Sequence, residues 1–401
     1  MWQYGLQIVK YILPFITLPY LTRVLGTEGY AVYAYVLSFM TFVQVIADFG
    51  FNLSGTKKVA SASSSDEINR VTGAIMQARL MLCFALGIAV LVISQFIPIL
   101  RENLFYVFLA YIGVSLKALA PDFVFQGKEQ MGPITSRYLI SKGTAAALTF
   151  VFIHTVADLL WIPVLDIISG MIALVWSFAA MYKRWGLSWA RASFKDTFDE
   201  LKVSGIYCIS NVSSTAFSGF STLLIGIVIT DKSQISYWSL AMTCLSAVQA
   251  LYSPIVNSLY PHMVTNRDFH YAKKLGLTAL PFIAIGTALF AAWADPLMSI
   301  LGGEDYLAGS YVIRLVAPVV FFSFYGMFFG WPILGAADKV KEITLSTLYS
   351  ALLNIALLLV SVAIGIESVT VIALIRDLTE AVMCFLRLDQ CKKLRAELRS
   401  S

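Results

Sequence analysis

The chain has 401 residues, of which 58% are hydrophobic and only 13% charged, with a formal net charge of +5 and a mean hydropathy of +0.76. A soluble domain of ordinary composition carries about 25% charged residues, so this balance excludes a soluble globular protein. The apolar runs are continuous rather than alternating, which excludes a β-barrel.

Runs of about 20 apolar residues, enough to cross roughly 30 Å of hydrocarbon, recur from one end of the chain to the other. They predict an all-α polytopic membrane protein with about twelve transmembrane helices, at 3–22, 30–51, 73–99, 104–125, 134–156, 159–182, 203–229, 235–257, 275–297, 311–335, 342–365 and 368–388. The first run has no charged leader region and no small-residue cleavage site before Pro14, so it reads as an uncleaved anchor. It holds Pro14 and Pro19 and closes on a polar hairpin of Arg23, Gly26, Glu28 and Gly29. Prolines recur in or at the ends of later runs, at Pro121, Pro163, Pro254, Pro261, Pro281, Pro318 and Pro332. Each removes a backbone hydrogen bond and permits a bend, which suits helices that flex between inward- and outward-open shapes.

Basic residues in the loops set the expected orientation. Connections after even-numbered runs hold Lys57, Lys58 and Arg70, then Lys128 and Arg137, then Lys183, Arg184, Arg191, Lys195 and Lys202, and later Arg267, Lys273, Lys274, Lys339 and Lys341. The tail adds Lys392, Lys393, Arg395 and Arg399, whereas odd-numbered connections offer only Arg23, Arg101 and Lys232. Both termini are therefore expected in the cytoplasm. The net positive charge is a topology signal and implies no nucleic-acid partner.

The stretch 183–202, KRWGLSWARASFKDTFDELK, spaces Trp185, Trp189, Phe194, Phe198 and Leu201 at near-helical intervals between basic residues. It reads as an amphipathic helix in the cytoplasmic interface or as an ordinary loop. Ser193 with Asp196 resembles a capping box. The stretch lies at the midpoint and divides the chain into an N-terminal six-helix lobe (1–182), a linker (183–202), a C-terminal six-helix lobe (203–390) and a basic tail (391–401). Weak internal similarity supports the division. The segment from Gln126 resembles that from Leu334, and that from Leu25 resembles that from Ile229, each offset by roughly 200 residues, or six spans. An even number of spans preserves orientation, so the lobes are expected to be related by a pseudo-twofold along the membrane normal, with a transport cavity between them.

Charges inside apolar runs are expensive and mark cavities or partners. Cation candidates for a cavity are Lys10, Arg79, Lys117 and Lys142. Snorkelling to the interface is the alternative for Lys10 and Arg79, but Lys117 lies mid-span, beyond easy reach of water. Asp48 and Asp122 fall nearer span ends, where a local turn accounts for Asp122. Arg376 and Glu380 are four residues apart on one helical face, so they are expected to neutralise each other. On this reading the first lobe keeps an excess of unpaired positive charge, while the second pairs its own.

Catalytic patterns are absent from the sequence. It contains three histidines, no Walker motif and no nucleotide-binding glycine pattern, so no cofactor or enzymatic activity is expected. The five cysteines are scattered without metal-ligand spacing, so no metal site is expected.

Three N-terminal segments carry a family resemblance: LPYLTRVLGTEGYAVYAY (18–35), ADFGFNLSGTKKVA (47–60) and PDFVFQGKEQM (121–131). In this order and spacing they resemble the signature segments of Wzx-type polysaccharide repeat-unit flippases, within the multidrug/oligosaccharidyl-lipid/polysaccharide exporter superfamily. LYPHMV (259–264) and LGGEDYLAGSYVIRLVAP (301–318) are similar to later landmarks of that family. One departure is Phe123, where the family usually has tryptophan. An aromatic ring at the membrane interface is still expected there. The resemblance implies a MATE-like fold in a bacterial inner membrane, and alternating-access transfer of an undecaprenyl-pyrophosphate-linked glycan to the periplasmic face for O-antigen or other surface polysaccharide. It implies membrane lipid, a polysaccharide polymerase and a chain-length regulator as partners, with H+ or Na+ as a coupling ion. It also gives Arg23 a role, either meeting the diphosphate at the outer end of the first helix or clamping the hairpin through Glu28. The alternatives are a multidrug exporter, a lipid II flippase or a membrane-embedded polysaccharide polymerase. The cations of the first lobe, the count of spans and the short odd-numbered loops respectively speak against them.

Overall fold

Each predicted run is largely helical in the computed structural model, which describes residues 2–187, 192–266 and 268–400. The N-terminal helices are α1 (Trp2–Asp48), α2 (Phe51–Ser61), α3 (Ser65–Ser94), α4 (Pro98–Arg101), α5 (Leu104–Ala118), α6 (Asp122–Gly127), α7 (Met131–Phe152) and α8 (Trp161–Trp185). They are followed by α9 (Phe194–Val228), α10 (Lys232–Asn266), α11 (Phe269–Ala292), α12 (Ala294–Gly302), α13 (Ser310–Phe328), α14 (Val340–Ala363) and α15 (Val369–Ser400). Short 3-10 turns precede α8 and α13, a π-helical stretch (Phe329–Gly335) extends α13, and no strand occurs among the described residues. Among the described residues, eight helical stretches are long and apolar enough to cross a membrane, the first of them (Leu13–Ser61) taking in the end of the first predicted run and all of the second. The runs 134–156, 203–229 and 368–388 form α7, α9 and α15. The protein is an all-α, multi-pass membrane protein.

Local chemistry explains where the helices break. Gly26 sits at φ 61°, ψ −171° and divides α1 into two arms at the predicted hairpin, in backbone that side-chain-bearing residues avoid. Pro14 and Pro19 leave the first arm continuous. Pro121 breaks the predicted fourth span, separating α5 from α6 as the residue before Asp122, while the stretch Leu104–Gly127 as a whole stays long and apolar enough to cross a membrane. Gly330 and Pro332 produce the π-helical stretch, with a non-helical ψ of −111° at Gly330. Beside it Arg387 Nη1 donates to the carbonyl of Gly326 at 2.6 Å, tying α15 to the end of α13.

The chain divides into two compact units, residues 1–215 and 216–401, with the boundary inside α9. The stretch 183–202 is shared between elements. Its start completes α8, which Gly186 closes in a left-handed conformation, Trp189 and Arg191 lie outside the described residues, and 194–202 form the first turns of α9. Those turns pack within the first unit: Lys58 Nζ donates to Glu200 Oε1 at 2.6 Å, and Ser54 and Ser204 share a 2.7 Å hydroxyl bond.

The two signature segments 47–60 and 121–131 meet in the core of the first unit. Gly55 and Gly127 let α2 and α6 approach closely: a Cβ on Gly55 would lie 2.8 Å from the Phe123 ring, and one on Gly127 2.7 Å from Val59. Phe123 is fully buried, packed in one cluster with Phe51, Ile75 and Val124. Its ring thus packs into the protein core rather than outward. In the second unit, segment 301–318 is organised around buried Tyr306. Tyr237 packs edge-on against that ring at 5.9 Å and donates to the carbonyl of Asp305 at 3.1 Å.

Candidate functional site

Three helices of the first unit bring together two of the lysines singled out above. Lys117 lies in the last turn of α5, beside the break that Pro121 imposes on that span, and Lys142 lies midway along α7. Both reach one carboxylate on α8. Lys142 Nζ donates to Asp166 Oδ1 at 2.6 Å, and Lys117 Nζ is 3.3 Å from the same oxygen. Gly113, one turn before Lys117, faces Asp166 on α8, and an added Cβ there would meet that of Asp166 at 3.5 Å, an ordinary contact. The close approach of α5 and α8 is at Gly170, where an added Cβ would lie 3.0 Å from that of Leu116. Tyr33, Tyr106 and Tyr138 lie within electrostatic range of Asp166.

The side chains of Lys117, Asp166 and Lys142 are 23%, 30% and 30% exposed. The cluster carries two positive charges and one negative, and its ammoniums point at a common acceptor that an incoming anion can replace. Lysine suits such an exchange, since it binds as a mobile point charge rather than in a fixed fork.

Arg79 is arranged differently. It is completely buried, with its guanidinium between the rings of Phe51 and Phe123 at 5.8 and 5.5 Å. Nη1 donates to the carbonyl of Ala120 at 2.8 Å and Nη2 to Asn52 Oδ1 at 3.1 Å, with Asp48 at 3.9 Å. This is a clamp that ties α3 to both signature segments. Arg23 is exposed beside the Gly26 break, as is Glu28. Lys10 lies on α1, but its side chain falls outside the described residues. In the second unit Arg376 Nη2 donates to Glu380 Oε1 at 2.8 Å, both residues being buried.

Two expectations about charge are corrected. The cations of the first unit are not left unpaired: Asp166, passed over in the sequence, holds two of them. Asp122 is more than a turn residue, since its two oxygens accept from Arg137 at 2.5 and 2.9 Å, and Arg137, counted above only as a loop charge, is buried. A signal for Asp166 was present, as it is the only acid in the apolar stretch WIPVLDIISGMIALVW. Its partners lie on other helices, and no spacing along the chain records that.

Comparison with known proteins agrees with this architecture. A protein of Escherichia coli (strain K12) named "Putative O-antigen transporter" is 24% identical over 368 residues, covering 87% of this chain and 86% of that protein. One of the same name from Shigella dysenteriae is 26% identical over 311 residues, with 76% and 77% covered. Among solved structures, the lipid II flippase MurJ in an inward closed conformation superposes with a TM-score of 0.77 at 14% identity, covering 98% of this chain and 87% of that one. A multidrug resistance MATE family transporter of the MOP superfamily, in its inward-facing conformation, gives 0.75 at 12% identity, with 98% and 99% covered. These likenesses show that the fold is that of the MATE and MurJ transporters. The family described as polysaccharide biosynthesis protein matches residues 1–267, more than half of the sequence, and the chain belongs to that family.

Proposed function

We propose that this protein is a flippase for undecaprenyl-pyrophosphate-linked oligosaccharide repeat units. It carries them from the cytoplasmic to the periplasmic face of a bacterial inner membrane by alternating access, for O-antigen or other surface polysaccharide, with both of its own termini cytoplasmic. The observation that carries the reading is the pair Lys117 and Lys142 converging on Asp166 within the membrane-spanning helices. A diphosphate brings negative charge to membrane depth, where uncompensated charge costs several kcal/mol. Two unpaired ammoniums side by side would be as unfavourable. Asp166 relieves that problem in the empty state, holding both lysines in place at a net charge of +1. Phosphate oxygens then take over as the shared acceptor, a charge-assisted exchange of one anion for another. In this reading Arg23, exposed at the end of the first arm, meets the headgroup as it leaves or clamps the hairpin through Glu28.

The names of the relatives support a polysaccharide substrate, and the fold shared with MATE and MurJ transporters supports transport rather than catalysis. A cationic drug substrate is disfavoured by the positive site. Energy is expected from substrate mass action or an H+ or Na+ gradient, and a polysaccharide polymerase with its chain-length regulator is the expected consumer of the product. In a strain lacking the gene, Lys117→Ala should fail to restore surface polysaccharide while reaching wild-type membrane levels, and Lys117→Arg should restore part of it. Normal export by Lys117→Ala would remove this site from the mechanism.

A further inference from the structure

The second unit holds a cleft of about 600 Å³, lined by α11, α13 with its π-helical extension, and α15. Helices α11 and α15 each pack along α13 and leave the hollow between them. Its construction is specific. Ala272 and Gly276 put almost no side chain on the α11 wall, and an added Cβ on Gly276 would press on the Phe328 ring at 3.0 Å. Tyr325 Oη donates to the carbonyl of Gly276 at 2.9 Å, pinning the wall to its floor. The surface is an aromatic ladder, with Phe321 against Tyr325 at 5.0 Å and Phe322 against Phe385 at 6.0 Å.

One end of the cleft is charged. α11 begins there and α15 ends there, and His270, Lys273 and Lys392 line that end. Among the described residues neither lysine has a carboxylate within ion-pair distance, whereas the neighbouring Lys393 is paired with Asp389 at 2.7 Å. The α15 residues that line the cleft run from 384 to 394, about 15 Å at the helical rise, or half of a hydrocarbon core of roughly 30 Å. The hollow thus has the depth of one leaflet, an apolar body and a cationic mouth.

We propose that this cleft binds an anionic phospholipid of the surrounding membrane, with the headgroup phosphate on Lys273 and Lys392 and an acyl chain along the phenylalanine wall. Free phosphate would leave the aromatic channel unused. A polyprenyl carrier would overrun a single leaflet, and its glycan would meet few polar groups. The site lies in the unit that does not hold Lys117, Lys142 and Asp166, so it stands or falls apart from the flippase reading.

The test is titration of the purified full-length protein in detergent, with bound lipid counted by native mass spectrometry. Dioleoyl phosphatidylglycerol should bind one per protein and outcompete dioleoyl phosphatidylcholine. At about 1 kcal/mol per lysine, Lys273→Gln or Lys392→Gln alone should weaken phosphatidylglycerol about fivefold and the double variant about 30-fold. Leu280→Trp, which places an indole in the chain path, should reduce binding with both lysines intact, and unchanged melting temperatures would establish that the variants are folded. Equal affinity for the two lipids, full binding by the double variant or by Leu280→Trp, or displacement by millimolar inorganic phosphate would overturn the proposal. Preferential displacement by undecaprenyl phosphate would overturn it in favour of the carrier lipid.

Discussion

Arg79, Lys117 and Lys142 are all cations within apolar helices, yet they are held in opposite ways. Arg79 is enclosed by two rings and two oxygen acceptors, a geometry that uses the planar fork and that an ammonium cannot reproduce. Arg79→Lys should therefore destabilise the protein by about 2 kcal/mol, through lost stacking and an unsatisfied carbonyl. Thermal melting in detergent would read this as a lower midpoint, and a wild-type midpoint would refute the clamp. The lysines, by contrast, share a partly open carboxylate, so Lys117→Gln should melt close to wild type. Arg376 and Glu380 form a closed pair. Arg376→Ala should cost about 3 kcal/mol by leaving Glu380 buried without its cation, whereas replacing both with apolar residues should be milder. Membrane abundance compares them, and a double variant as depleted as the worse single would show that the two do not act as a unit.

At the scale of elements, the helices were legible and their registry was not. Bilayer thickness fixes the length of each apolar run, so the spans could be read directly, and the hairpin glycine at 26 marked its own break. The pair Arg376–Glu380 was visible because both partners sit on one helix, where spacing alone decides the face. Asp166 needed three helices to be placed at the same level, and the close approach of α5 and α8 depends on a small residue, Gly170, whose role shows only with Leu116 packed on it. The signature segments show the same limit. Their order along the chain identified the family resemblance, but the reason for Gly55 appears only with Phe123 packed on it at 2.8 Å. Gly55→Val should push α2 away from α6 at a cost of about 1–3 kcal/mol, as overpacking does. A lowered melting temperature would show it, and an unchanged one would mean that the contact is slack.

For the whole molecule, the expected orientation rests on basic loops and the proposed function on the anion exchange at Asp166. Reporters fused near Lys58, Arg191 and Lys341 should be cytoplasmic and those near Arg101 and Lys232 periplasmic, and a periplasmic signal at Arg191 would invert the map. The central claim, that the two lysines carry a diphosphate-linked glycan across the bilayer, is tested most directly in proteoliposomes loaded with undecaprenyl-pyrophosphate-linked repeat units. Accessibility of the glycan to an impermeant lectin reports its transfer between leaflets. Wild-type protein should make the inner pool accessible, and the variant carrying both Lys117→Ala and Lys142→Ala, incorporated to the same level, should leave it as protected as in protein-free vesicles. Equal transfer by that variant would contradict the account.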